Sequence, residues 1–124
     1  MGHKVLIVEA DALQRDLMQL ALQRGGFEVI STAQPEKVRE LILRHRPKLM
    51  ILDMFMPRIN GLDLIKSLRA EGLAVGMTVI ALSSMAFREI VHQAAVLGVS
   101  EFIIKPFDME LLLDRVNQVL EKTE

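Results

Sequence analysis

"MILDMFMPRING", residues 50–61, is the stretch on which the fold turns. Its apolar run ends on a single carboxylate, Asp53, and then breaks into Met56-Pro57 and Asn60-Gly61. Asp is poor in strands, and Pro and Asn-Gly form turns, so the sequence predicts a strand that leaves its sheet with an acid at the tip. The run "KLMILD", residues 48–53, does not alternate polar and apolar positions, which predicts cover on both faces.

Similar signals recur on either side. "HKVLIV" (3–8) reads as a strand, followed by a helix in which Leu13, Leu17, Leu20 and Ala21 share one face and which Gly25-Gly26 ends. "FEVIST" (27–32) is a second strand; Pro35 opens a helix with Val38, Leu41, Ile42 and His45 in register, and Pro47 stops it. After Asp53, "GLDLIKSLRAEG" (61–72) is helical, with Leu62, Ile65 and Leu68 on its apolar face. "MTVIALS" (77–83), "AFREIVHQAAVLG" (86–98) and "EFIIK" (101–105) continue as strand, helix and strand, and Pro106 ends the last of these. Asp108 can cap a final helix whose stripe is Leu112, Val116, Val119 and Leu120. A β-α unit repeated five times, with central strands that do not alternate, predicts an α/β fold: a parallel sheet with helices on both faces.

Bulk properties narrow the function. With 124 residues, 51% hydrophobic and 25% charged, the chain has the size and balance of one domain, spanning 1–124. Its formal net charge of −1 gives no electrostatic reason to expect direct contact with nucleic acid or an anionic membrane. No apolar stretch approaches the ~20 residues that span a bilayer, and no signal peptide is visible. The absence of cysteine excludes disulfides, thiolate metal sites and a Cys nucleophile, and it fits a reducing cytoplasm. His3, His45 and His92 show no ligand spacing, and the eight methionines read as adaptable core filler.

In parallel sheets of this kind, sites form outside the carboxyl ends of the strands. Those ends carry Glu9-Ala10-Asp11, Asp53, Ser83-Ser84 and Lys105-Pro106. Carboxylates gathered there repel by roughly 4 kcal/mol at about 4 Å and an effective dielectric of about 20, so the cluster needs a cation or protons. Oxygen donors of this type suit Mg2+. A carboxylate beside a hard cation, a lysine and a hydroxyl is what phosphoryl transfer to Asp requires.

Taken together, "KVLIVEAD" (4–11), "ILDMFMPRINGLDLI" (51–65), "VIALSSMA" (79–86) and "FIIKPF" (102–107) resemble the receiver domain of the two-component response regulators over nearly the whole chain. The resemblance implies a flavodoxin-like (βα)5 fold with a five-stranded parallel sheet in the order 2-1-3-4-5. It implies a signalling module rather than an enzyme, in which Asp53 accepts a phosphoryl group from a phosphohistidine of a sensor histidine kinase or phosphotransfer protein, with Mg2+. By the same resemblance Lys105 binds the phosphoryl group, Ser83 is the switch hydroxyl and Phe102 the aromatic switch. The backbone carbonyl of Phe55 is then a metal ligand and Lys105-Pro106 a cis peptide. Output passes through the surface of the fourth helix, fifth strand and fifth helix to a downstream effector domain or protein. With nothing after Glu124, the expectation is a stand-alone regulator or one domain of a longer protein.

Two departures from the family pattern stand out. Where two adjacent acids are usual after strand one, this chain has Glu9 and Ala10. Ala10 offers no ligand, so Glu9 is the expected metal ligand there, with Asp11, one place beyond, as the second candidate. The loss weakens Mg2+ binding, but it also removes a negative charge from a site that must accept about −2. Phe55 and Met85, at positions that by resemblance govern the approach of hydrolytic water, are bulky and apolar, which predicts slow self-dephosphorylation. Leu111 and Leu113 lie beyond the stripe of the last helix and mark a candidate face for a homodimer or another partner.

Rival readings are weaker. A pseudo-receiver, a binding module with weak or no phosphorylation, is the alternative that Ala10 motivates. A hydrolase of the haloacid dehalogenase type needs a second acid where Phe55 stands, and a flavin carrier needs a phosphate loop that "EADALQ" (9–14) does not supply.

Overall fold

A computed structural model describes residues 2–123. Five parallel strands form one sheet: β1 (Lys4–Val8), β2 (Glu28–Thr32), β3 (Leu49–Asp53), β6 (Thr78–Ser83) and β7 (Glu101–Ile104). Five helices join them: α1 (Ala12–Arg24), α2 (Val38–His45), α3 (Gly61–Ala70), α4 (Arg88–Val96) and α5 (Met109–Thr123). The remaining strands, β4 (Phe55–Met56) and β5 (Ile59–Asn60), pair as a small antiparallel hairpin directly after Asp53. The sheet order is β2-β1-β3-β6-β7, which is 2-1-3-4-5 once the hairpin is set aside. The fold is the flavodoxin-like arrangement expected.

The apolar strands are explained by two separate cores. Leu6, Val8, Met50, Leu52, Val79 and Ala81 point to one face and pack with Val38 and Ile42 of α2, Leu62, Leu64, Ile65 and Leu68 of α3, and Ala94 of α4. Val5, Ile7, Leu49, Ile51, Ile80, Leu82 and Ile103 point to the other, against Met18 and Leu22 of α1 and Leu112, Val116, Val119 and Leu120 of α5. Successive strand residues alternate between faces, and since both faces are covered the central strands β1, β3 and β6 are apolar along most of their length. At about 25 cal/mol per Å2, this burial is the main force that closes the two layers on the sheet.

Two sequence expectations change, the buried face of α1 and the start of α2. The stripe read on α1 is not its buried face: Met18 and Leu22 are fully buried, whereas Leu13 is 70%, Leu17 44% and Leu20 45% exposed. Apolar residues occur nearly all round this helix, so periodicity alone did not single out the face that meets the sheet. Leu111 and Leu113 are half-buried, packed in part against the α1/α5 core. Pro35 opens a 3-10 turn, Pro35–Lys37, and α2 begins only at Val38. The stripe of α5 is buried as expected, and Asp108 caps its start by accepting from the Leu111 N–H at 2.7 Å.

Candidate functional site

The order β2-β1-β3 reverses direction at β1, and beyond the carboxyl ends of β1 and β3 the chain brings its acids together. Val8 is in register with Leu52, so the next residues out, Glu9 and Asp53, meet at the edge. Both are buried: Glu9 is 1% and Asp53 8% exposed. Lys105, just past β7, reaches across to them. Its Nζ lies 2.6 Å from Glu9 Oε1 and 3.0 Å from Asp53 Oδ2. The Lys105 backbone is set by its own N–H, which donates to the Ser83 carbonyl at 2.8 Å, and Lys105-Pro106 is cis.

Each carboxylate has further support. The Phe55 N–H donates to Asp53 Oδ1 at 3.1 Å, so the hairpin after β3 closes on the acid it follows. Glu9 Oε2 accepts the Asp11 N–H at 3.2 Å. Burial holds the Glu9 carboxyl above the usual carboxylate range; Lys105 opposes this, while neighbouring Asp53 adds to it. Burial alone would lower Lys105, but its hydrogen bonds to Glu9 and Asp53 prevail and hold the ammonium more firmly than in a free lysine.

The other predicted residues are placed as follows. Ser83 is fully buried; its Oγ donates to the Met85 carbonyl at 2.6 Å and accepts the Met85 N–H at 3.0 Å. Phe102 pairs in register with Ala81, two residues before Ser83, and is half-buried against the α2/α3/α4 core. Asp11 is exposed and works as the N-cap of α1, its Oδ1 accepting the Gln14 N–H at 3.0 Å. Ala10 packs against the α2/α3/α4 core and Phe55 is exposed.

One contributor was not read from the sequence. Arg15 Nη1 donates to the Glu9 carbonyl at 2.9 Å, with the Ala10 carbonyl at 3.5 Å, and so clasps the turn that carries Glu9. A cation near the N-terminus of a helix opposes the helix dipole, and that misfit was the available signal. Gly61, read from the sequence as a turn former, has a packing reason as well: a Cβ there would sit 2.8 Å from Met54 Cα and Sδ, so only glycine lets α3 start this close to the loop after Asp53. Asn60 caps that start by accepting the Leu62 N–H at 2.8 Å.

Glu9, Asp53 and the Phe55 carbonyl are hard oxygen donors, and Mg2+ commonly takes one or two carboxylates while keeping several waters. The donors therefore fit Mg2+ in kind. Among the described residues no group of three or more His, Cys, Asp or Glu is placed to hold a metal, so the site offers two carboxylates with one ammonium lying across both.

Residues 5–117 match the family described as the response regulator receiver domain. The chain is 30% identical to the chemotaxis protein CheY of Bacillus subtilis, over 97% of this chain and 99% of that protein. It is 28% identical to the phosphate regulon transcriptional regulatory protein PhoB of Pseudomonas aeruginosa, covering 98% of this chain but 53% of PhoB; it thus spans about half the length of that relative. Among solved structures, Vibrio cholerae CheY4 superposes with a TM-score of 0.89 over 96% of this chain and 99% of that one, at 24% identity, a likeness of fold alone.

Proposed function

This chain belongs to the response regulator receiver domain family, and from that premise we propose that Asp53 is its phosphoacceptor, with a phosphohistidine of a sensor histidine kinase or phosphotransfer protein as donor. Receiver domains are signalling domains rather than enzymes in the ordinary sense. The observation that carries the proposal is the Lys105 ammonium held between Asp53 Oδ2 and Glu9 Oε1.

The chemistry follows from that contact. A new P–O bond forms on an Asp53 oxygen while the P–N bond of the donor breaks. Asp53 thereby loses its own negative charge, and the phosphoryl group brings about −2 to the same edge. Lys105, already within hydrogen-bond reach of both carboxylates, stays positioned to pair with a phosphoryl oxygen. Glu9, Asp53 and the Phe55 carbonyl would hold Mg2+, which when bound supplies charge neutralisation for the phosphoryl oxygens. With Ala10 in place of an acid, that binding is weaker than with a third carboxylate.

Ser83 links the site to the surface. To reach a phosphoryl oxygen its hydroxyl must leave the Met85 carbonyl, which frees the segment entering α4. Phe102, packed beside Ala81 one strand over, follows by repacking. Phosphorylation thus shifts the population between two arrangements of the α4–β7–α5 surface, which a downstream effector domain or protein reads. The setting is cytoplasmic signalling; among the described residues no helix is long and apolar enough to cross a membrane.

Intact mass after exposure to acetyl phosphate and Mg2+ tests the reading. Wild type is expected to gain one phosphoryl group and Asp53→Asn none. Equal labelling of both, or none in either wild type or Ala10→Asp, would overturn it.

A further inference from the structure

α4 is the helix with the least anchoring. It buries only Ala94, its N-cap residue Phe87 supplies no side-chain acceptor, and its last turn holds no basic residue. Yet its C-terminal end is clasped from outside. Arg69, in the last turn of α3, donates from Nε to the Leu97 carbonyl at 3.1 Å and from Nη1 to the Ala74 carbonyl at 2.8 Å. Gly98, at φ +87°, lies so close that a Cβ there would sit 3.2 Å from Arg69 Nη2. One half-buried guanidinium thus joins α3, the loop before β6 and the end of α4. It supplies the cation that the helix lacks at its own negative end. The opposite end of α4 hangs on different chemistry, since the residues leading into it are held by the two bonds between Ser83 Oγ and Met85.

We propose that Arg69 makes the C-terminal end of α4 a fixed pivot, so that release of Met85 by Ser83 moves only the N-terminal half of the helix. This rests on the phosphoacceptor reading and says which part of the output surface carries the signal. That part is the end bearing the exposed apolar residues Met85, Phe87 and Val91, while exposed Val96 stays in place with the pivot. A helix held at one end and freed at the other swings rather than translates, so the displacement is largest at the Met85–Phe87 end and falls away toward Leu97.

Backbone amide hydrogen exchange and chemical shifts of the full chain, with and without Mg2+ and beryllofluoride as phosphoryl mimic, test this. In wild type the response is expected to concentrate in residues 85–91 and to leave 95–99 within about two-fold. In the protein without the mimic, Arg69→Met is expected to speed exchange at the Leu97, Gly98 and Val99 amides at least about ten-fold while α1 and α5 are unchanged. Arg69→Lys, which keeps the charge but loses the fork, should give an intermediate acceleration and decides the matter if Arg69→Met does not fold. Equal responses in 85–91 and 95–99, or Arg69 variants with wild-type exchange, would overturn the pivot. Failure of wild type to bind the mimic counts against the phosphoacceptor reading instead, and exchange in the Arg69 variants still judges the clasp.

Discussion

Replacing Lys105 by methionine would leave Glu9, with a side chain 1% exposed, and Asp53, with a side chain 10% exposed, as two neighbouring carboxylates with no cation between them. Removing one partner of a buried ion pair costs about 3–5 kcal/mol. Hydrogen bonds to charged groups are worth about 1.5–3 kcal/mol each, and Lys105 makes two. Two features place the expected loss at the low end: the Lys105 side chain is 23% exposed, and Glu9, already displaced toward its neutral form, can take up a proton. We therefore expect about 3 kcal/mol, or roughly a 10 °C fall in Tm for a chain of this size. The chain has no Trp or Tyr, so urea unfolding is best followed by far-UV circular dichroism, at pH 7 without divalent ions. The midpoint should fall with the slope m unchanged. Adding Glu9→Gln should recover part of the loss, because the two residues are in contact and their effects are not additive. Millimolar Mg2+ should stabilise Lys105→Met more than wild type, since the ion then replaces the missing charge. A loss below about 1 kcal/mol with unchanged m would show that Lys105 does not neutralise this pair, and the reading of the site would fall with it.

Ala10→Asp supplies a further carboxylate and is expected to tighten Mg2+ binding by about ten-fold or more by calorimetric titration; unchanged affinity would mean that position 10 does not face the ion. Met18→Ala is expected to destabilise by about 2–5 kcal/mol, while Leu17→Gln on the exposed side of α1 stays within about 0.5 kcal/mol, and equal losses in urea unfolding would contradict the orientation of that helix. Phe55→Asn combined with Met85→Glu should shorten the lifetime of phosphorylated Asp53, followed by loss of the phosphoryl mass with time; a longer lifetime would remove apolar shielding as the cause of slow hydrolysis.

Much of the molecule was legible locally. The five sheet strands and the helices are announced by their own periods, and several are ended by their own Gly, Pro or Asp, signals that act within a few residues; the short β4–β5 hairpin was read only as turns. Asp53 stood out because a carboxylate is misplaced at the end of an apolar strand. Asp11 was harder, since an acid two places past a strand serves equally well as a ligand or a cap; the first turn of α1 uses it as a cap. Arg15 was passed over because its targets are backbone carbonyls, which carry no mark in the sequence.

By itself the sequence determined the order of elements, the apolar strands that demand cover on both faces, and the chemical types waiting at the strand ends. Tertiary structure alone decided which side of α1 meets the sheet, and that one ammonium serves two acids lying 96 and 52 residues away along the chain. The physical reason is range: propensity and turn chemistry are settled between near neighbours, whereas the charge balance at the sheet edge exists only once strand order has brought distant residues within about 3 Å.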